Sequence, residues 1–84
     1  MSKTNKTIHV RYFALLREER GCGDEAVTTI VTTASELYDQ LKKKNKFSIS
    51  REGLRVVIND AFQPWNTPLQ NNDTVVFIPP VAGG

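Results

Sequence analysis

The residues best suited to chemistry lie at the C-terminus of this sequence. The chain ends Pro79-Pro80-Val81-Ala82-Gly83-Gly84, so a pair of glycines precedes the terminal carboxylate. Proline fixes φ near −65° and has no N–H group, so a sheet strand should end at this pair. The following side chains are small and glycine permits unusual backbone angles, so we expect residues 81–84 to form an extended tail. Such a tail could enter a channel too narrow for larger side chains.

A terminal carboxylate donates an acyl group only after activation, because its oxygen is a poor leaving group. Reaction with ATP would convert the carboxylate of Gly84 to an acyl-adenylate, from which AMP leaves readily. Attack by a sulfur nucleophile would then yield a thiocarboxylate, whose sulfur is ionised near neutral pH and is far more nucleophilic than oxygen. The end of the chain therefore favours a carrier of activated sulfur that works with partner enzymes.

The rest of the sequence offers little catalytic chemistry. His9 lies in a strand-like segment, and Cys22 lies between Gly21 and Gly23 in a predicted turn. A single cysteine excludes an internal disulfide and a cysteine-based zinc site, so we expect Cys22 to be a partly exposed thiol without a role. The glycines around it precede a strand pattern and not a helix, which argues against a phosphate-binding loop. No spacing typical of metal ligands is present.

Length and composition predict one small domain. The chain has 84 residues and a net charge of +2, from eleven basic and nine acidic side chains, so a nucleic-acid-binding footprint is not indicated. No segment approaches the roughly 20 apolar residues of a membrane span. The polar segment 1–6 does not resemble a signal peptide, and we expect it to be disordered. These features, with the single cysteine, favour a cytoplasmic protein.

The hydrophobic patterns predict an α+β domain over residues 1–80. We expect strands at 7–13, 25–31, 54–59 and 74–78, a short helix at 14–20, and a short strand within the turn-rich segment 60–68. Thr33 and Glu36 form a capping box before the main helix at 34–44. One face of that helix carries Ala34, Leu37, Tyr38 and Leu41. The order predicts a mixed sheet with the main helix packed on one face.

Alternation along the strands divides the sheet into two faces. The inward face should carry Ile8, Val10, Tyr12, Val56, Ile58, Val75 and Phe77. An outward face is expected to be polar, yet it carries several large apolar side chains: Phe13, Val57, Val76 and Ile78, with Phe62 at its margin. Their clustering would indicate a protein contact, although scattered apolar side chains are also common on surfaces.

Three parts of the sequence resemble a known family. They are the ending Ile78-Pro79-Pro80-Val81-Ala82-Gly83-Gly84, the opening strand running into Tyr12-Phe13-Ala14 and Arg17-Glu18, and Pro68-Leu69 followed by Asp73-Thr74-Val75. Together they resemble the small, sulfur-carrier subunit of molybdopterin synthase, over nearly the whole chain. The resemblance implies a ubiquitin-like β-grasp fold, in agreement with the α+β pattern.

The resemblance also implies a function and its residues. Gly84 would be adenylated by a ubiquitin-activating-like adenylyltransferase, which uses the ATP, and then thiocarboxylated. Val81, Ala82 and Gly83 would thread into the large synthase subunit, where the sulfur passes to cyclic pyranopterin monophosphate during molybdenum cofactor biosynthesis. The implied partner-binding residues are Phe13, Phe62 and Ile78. The carrier would not be catalytic alone, would bind no permanent cofactor or metal, and would act in a complex of two small and two large subunits.

Three alternatives remain open from the sequence. A sulfur carrier for thiamin thiazole synthesis uses the same terminal glycines, but such chains are typically shorter and lack the Pro-Pro pair. A ubiquitin-like modifier would transfer the acyl group to lysine amines. A plain interaction domain would carry an inert tail.

Overall fold

The computed structural model describes residues 4–79. The predicted tail residues Val81, Ala82, Gly83 and Gly84 therefore lie outside the described part of the chain. The elements in chain order are β1 (Lys6–Tyr12), α1 (Ala14–Arg20), β2 (Asp24–Thr29), α2 (Ala34–Asn45), a 3₁₀ turn (Arg51–Gly53), β3 (Arg55–Ile58), β4 (Ala61–Gln63) and β5 (Thr74–Ile78).

The strands form one mixed sheet in the order β2-β1-β5-β3-β4. The central strands β1 and β5 are parallel, whereas the pairs β1–β2, β3–β5 and β3–β4 are antiparallel. The inward side chains of the sheet are buried together with the apolar face of α2. The predicted architecture, a mixed sheet with one main helix on one face, is confirmed.

The core lies between α2 and the inward face of the sheet. Tyr38 is its centre, because its ring contacts Phe47, Trp65 and Phe77 at centroid distances of 6.1, 5.9 and 5.0 Å. Its hydroxyl donates a 2.6 Å hydrogen bond to the carbonyl of Ile49, and burial raises the pKa of Tyr38 to about 12. All seven side chains predicted for the inward face are buried: Ile8, Val10, Tyr12, Val56, Ile58, Val75 and Phe77.

Local sequence explains both ends of α2. The Thr33 hydroxyl accepts from the Glu36 N–H, and the Glu36 carboxylate accepts from the Thr33 N–H, which confirms the predicted capping box. The last helical residue is Asn45, and the C-cap Lys46 adopts the left-handed conformation with φ of 58° and donates its N–H to the carbonyl of Lys42. Glycine usually fills such a position, so the lysine there carries some backbone strain.

Several predicted boundaries differ from the structure by one or two residues, and Phe13, predicted as the last residue of the first strand, instead follows β1 as the N-cap of α1. Lys6, expected in the disordered lead-in, is the first residue of β1: it pairs with Thr29 and its Nζ donates to the Leu69 carbonyl. The second strand ends at Thr29, not at 31, because the Thr29 hydroxyl accepts from the Val31 N–H and the resulting local turn replaces the ladder.

The third strand is also shorter than predicted, ending at Ile58 instead of residue 59. Asn59 and Asp60 both have positive φ, 51° and 72°, and they connect the paired residues Ile58 and Ala61. Two consecutive left-handed residues between paired strands are typical of a tight type I′ hairpin. The turn leads directly into β4, the predicted short strand of the turn-rich segment.

Candidate functional site

The segment before the C-terminus is anchored in the middle of the sheet. β5 is hydrogen-bonded to β1 on one side and to β3 on the other. Its inward residues Val75 and Phe77 are completely buried, and the strand ends at Ile78, immediately before Pro79. Ile78, the last residue of β5, therefore lies where two neighbouring strands hold the chain in place.

The outward face contains a row of side chains that crosses all five strands. The register places Asp24 opposite Arg11, Arg11 beside Val76, Val76 opposite Val57, and Val57 opposite Phe62. Adjacent positions in such a row hold neighbouring side chains on one face of the sheet. The row is charged on β2 and β1 and apolar on β5, β3 and β4. The predicted outward apolar cluster is therefore contiguous on those three strands.

Two of the predicted partner-binding residues, Phe62 and Ile78, line one groove. This terminal groove has a volume of about 600 Å³ and is also lined by Glu52, Leu54, Arg55 and Pro79. Phe62 is 65% exposed, the most exposed large apolar side chain among residues 4–79. The groove reaches the last described residue, so it adjoins the point from which the C-terminal segment continues.

Phe13, the third predicted partner-binding residue, is not among the residues that line the terminal groove. It is 49% exposed and caps the N-terminus of α1 directly after β1. Tyr12 pairs with Phe77 on the parallel strand β5, so Phe13 and Ile78 each lie one residue beyond this pair, at the same end of the two strands. Phe62 lies instead on β4, in the row of Val57 and Val76, and of the three residues only Phe62 and Ile78 line the groove.

The other candidate reactive residues do not assemble into a catalytic site. His9 is exposed on the outward face beside Ala26 and Thr74. Cys22 is half-buried in the turn after α1, next to Gly23, whose carbonyl accepts from the Tyr12 N–H. Among residues 4–79, no group of three acidic, histidine or cysteine side chains could hold a metal ion.

Comparison with known proteins identifies the family. A model of the ThiS family matches residues 10–84, which include the terminal glycines. The chain belongs to the ThiS family. It is 31% identical over 80 residues to the molybdopterin synthase sulfur carrier subunit of Haemophilus influenzae, with 92% of this chain and 99% of that protein covered.

Similarity to solved structures identifies the fold of the ThiS-family chain. A putative molybdopterin converting factor, subunit 1, from Pyrococcus furiosus superposes with a TM-score of 0.75 at 26% identity, covering 90% of this chain and 99% of that one. A chain from a complex of subunits 1 and 2 of molybdopterin-converting factor from Helicobacter pylori superposes with a TM-score of 0.63 at 26% identity, and the match covers 93% of this chain and 99% of that one. The small archaeal modifier protein 1 of Methanosarcina acetivorans superposes with a TM-score of 0.76 at 21% identity, and the match covers 96% of this chain and 99% of that one. At this identity the similarity supports a shared fold and no shared role. The fold is the ubiquitin-like β-grasp.

A polar network that the sequence patterns did not reveal holds the edge strand of this ThiS-family domain. Glu25 of β2 accepts hydrogen bonds from the hydroxyl of Tyr12, at 2.6 Å, and from two nitrogens of Arg20, at 2.9 and 2.8 Å. The Arg20 guanidinium, with the Tyr12 hydroxyl, holds the pKa of the Glu25 carboxyl below its ordinary value, and burial with the Glu25 bond raises the pKa of Tyr12. The network joins the end of α1 to β1 and β2 and so fixes the helix that follows Phe13.

The ThiS-family chain shows no sign of a membrane-spanning helix: neither helix within residues 4–79 is both long and apolar enough to cross a bilayer.

Proposed function

We propose that this chain is the sulfur-carrier subunit of a molybdopterin synthase. The observation that carries the proposal is its similarity, over nearly the full length of both chains, to a curated sulfur carrier of that enzyme. The match to the ThiS family extends through Gly83 to Gly84, the residue whose carboxylate the chemistry needs. The exposed apolar cluster of the outward face supports a protein that works by docking.

In the proposed reaction the Gly84 carboxylate attacks ATP on a partner adenylyltransferase, which releases pyrophosphate and forms the acyl-adenylate. A hydrosulfide equivalent from a sulfur donor then displaces AMP and leaves the thiocarboxylate. The carrier supplies only the acyl group, so it needs no metal and no resident cofactor.

The thiocarboxylated carrier would next dock on the large synthase subunit through Phe13, Phe62 and Ile78. Burial of exposed aromatic and aliphatic side chains is the main source of affinity at such interfaces. Val81, Ala82 and Gly83 would present the thiocarboxylate of Gly84 to cyclic pyranopterin monophosphate. Each sulfur transfer would regenerate the Gly84 carboxylate, and each product would require two deliveries.

The test is intact-mass measurement of the purified chain after incubation with the adenylyltransferase, ATP and a sulfur donor. We expect the mass to rise by the difference between a sulfur and an oxygen atom, and to return to its starting value when large subunit and pterin substrate are added. A competent adenylyltransferase that leaves the mass unchanged would refute the proposal. Lysine-linked adducts in cell extract would instead support a protein modifier, and sulfur transfer to a thiazole synthase alone would support the thiamin pathway.

A further inference from the structure

The terminal groove contains one cation among its apolar residues. Arg55 is the first residue of β3 and pairs with Ile78 across the β3–β5 ladder. Because the next residue, Val56, is buried in the core, the Arg55 side chain belongs to the outward face with Ile78 and Val57. It lines the groove together with Phe62 and Pro79.

Arg55 has no ionic partner within the described chain. The ion pairs of residues 4–79 join Arg20 to Glu25 and Arg51 to Asp39, and none of the side-chain hydrogen bonds there uses the Arg55 guanidinium. Glu52 lines the same groove, but its carboxylate accepts from its own backbone and from the Ser50 side chain, which lowers its pKa. Glu52 is the one carboxylate that lines the groove, and no ion pair joins it to Arg55, so the Arg55 guanidinium remains available to a carboxylate of another protein.

Arg11 provides a natural comparison on the same face. It lies directly opposite Asp24 in the antiparallel pair of β1 and β2, where facing side chains are close neighbours. Arg11 and Asp24 also line a common surface depression with His9. Arg11 thus has a carboxylate directly opposite it on the neighbouring strand, although the two form no ion pair, whereas the residue opposite Arg55 on its neighbouring strand is the apolar Ile78.

A protein that covers the terminal groove must remove water from the Arg55 guanidinium. The loss of hydration from an arginine costs several kcal/mol of free energy unless the guanidinium gains a hydrogen-bond acceptor. A tight interface therefore requires an anion at that position. Carboxylates match the guanidinium fork with two parallel hydrogen bonds. The apolar walls of the groove meanwhile favour an apolar surface on the same partner.

We propose that the terminal groove receives an apolar segment of the large synthase subunit that carries an Asp or Glu side chain paired with Arg55. The inference rests on the proposed function, because that function supplies the partner. The proposed interface contains Arg55 in addition to the three apolar residues implied by the family resemblance. In this interface Arg55 would distinguish between partner proteins by their charge. The groove reaches Pro79, the last described residue, so pairing there would bring the partner close to that residue.

The test measures the affinity of the full-length chain for the purified large subunit by titration calorimetry, at low and at high salt. Arg55→Glu should weaken binding by roughly 30-fold or more, because it places two carboxylates together in the interface. Arg55→Met retains an apolar stem and should weaken binding by a smaller factor, about tenfold, with a reduced salt dependence. The matched control Arg11→Glu should change the affinity by less than about threefold.

Any of three results would overturn the inference. Wild-type affinity for Arg55→Glu would show that no anion faces the groove, and equal losses for Arg55→Glu and Arg11→Glu would show a general effect of net charge. Unfolding by urea, measured on every variant, separates loss of affinity from loss of fold. An Asp or Glu to Arg change in the large subunit that restores binding to Arg55→Glu identifies the partner carboxylate, and failure of every acidic residue at the interface to do so contradicts the pairing.

The result is distinguishable from failure of the proposed function. If the wild-type chain becomes thiocarboxylated and binds the large subunit, but the Arg55 variants bind equally well, only the role of Arg55 is wrong. If the wild-type chain is neither thiocarboxylated nor bound, the proposed function fails and the role of Arg55 fails with it.

Discussion

The Tyr12 hydroxyl donates a 2.6 Å hydrogen bond to Oε2 of Glu25, and the Nε of Arg20 donates a 2.9 Å hydrogen bond to the same oxygen. This pair connects a central strand to the edge strand of the sheet. Both donors favour the ionised carboxylate, so the contribution of Glu25 to folding depends on its charge.

The Glu25 network predicts a specific pH dependence. Because the folded-state pKa of Glu25 lies below its ordinary value of 4.5, its stabilising effect is fully present above that value and is lost as the pH falls through the folded-state pKa. Glu25→Gln should therefore lower the free energy of unfolding near neutral pH, and its difference from wild type should shrink in acid. Urea unfolding of both proteins across this range checks the prediction, and a difference independent of pH would contradict it.

The end of α2 predicts a stabilising substitution. Lys46 holds a left-handed conformation that glycine adopts without steric cost, so Lys46→Gly should raise the free energy of unfolding by about 1 kcal/mol. Lys43→Gly is the matched control, since it removes the same charge inside the helix and should lower the free energy by about 1 kcal/mol. Thermal or urea unfolding distinguishes the two, and destabilisation by both would exclude a left-handed Lys46.

The outward face predicts a separation of stability from binding. Phe62 is mostly exposed, so Phe62→Thr should leave the free energy of unfolding within about 0.5 kcal/mol of wild type. The same change should weaken binding to the large synthase subunit by about 2 kcal/mol or more. Ile30→Thr is the control. Ile30 is 49% exposed but follows β2, which is the edge strand opposite β4. The affinity of the Ile30→Thr variant for the large subunit should therefore stay unchanged. Equal affinities for all three proteins would remove Phe62 from the interface.

Removal of the terminal glycine should abolish the chemistry of the chain without changing its fold. Deletion of Gly84 should abolish thiocarboxylation, because the next carboxylate would belong to Gly83 and lie one residue short of the reacting position. A terminal residue contributes little to stability, so circular dichroism and the unfolding midpoint should not change. Mass analysis with the adenylyltransferase provides the readout, and a truncated chain that still accepts sulfur would move the reacting group away from Gly84.

The local pattern was enough to predict the elements and the orientation of their side chains. Alternation identified which of the residues in β1, β3 and β5 face the core, because successive side chains of a strand point to opposite faces. The spacing of Leu37, Tyr38 and Leu41 identified the buried side of α2, and the Thr33–Glu36 capping box its start. Boundaries failed where backbone turns intervened, as at Asn59 and Asp60.

Only the tertiary structure decided which of these residues meet. Alternation shows that Phe62 and Ile78 point outward, but strand order and register bring them to one groove with Arg55 and leave Phe13 outside it. Trp65, which lies in a turn-rich segment without a period, stacks on Phe77 at 5.9 Å and closes the core. The network of Tyr12, Arg20 and Glu25 likewise depends on the packing of α1 against two strands. Periodicity reports the direction of a side chain, whereas contact between distant residues depends on how the strands pair, and local spacing carries no information about that pairing.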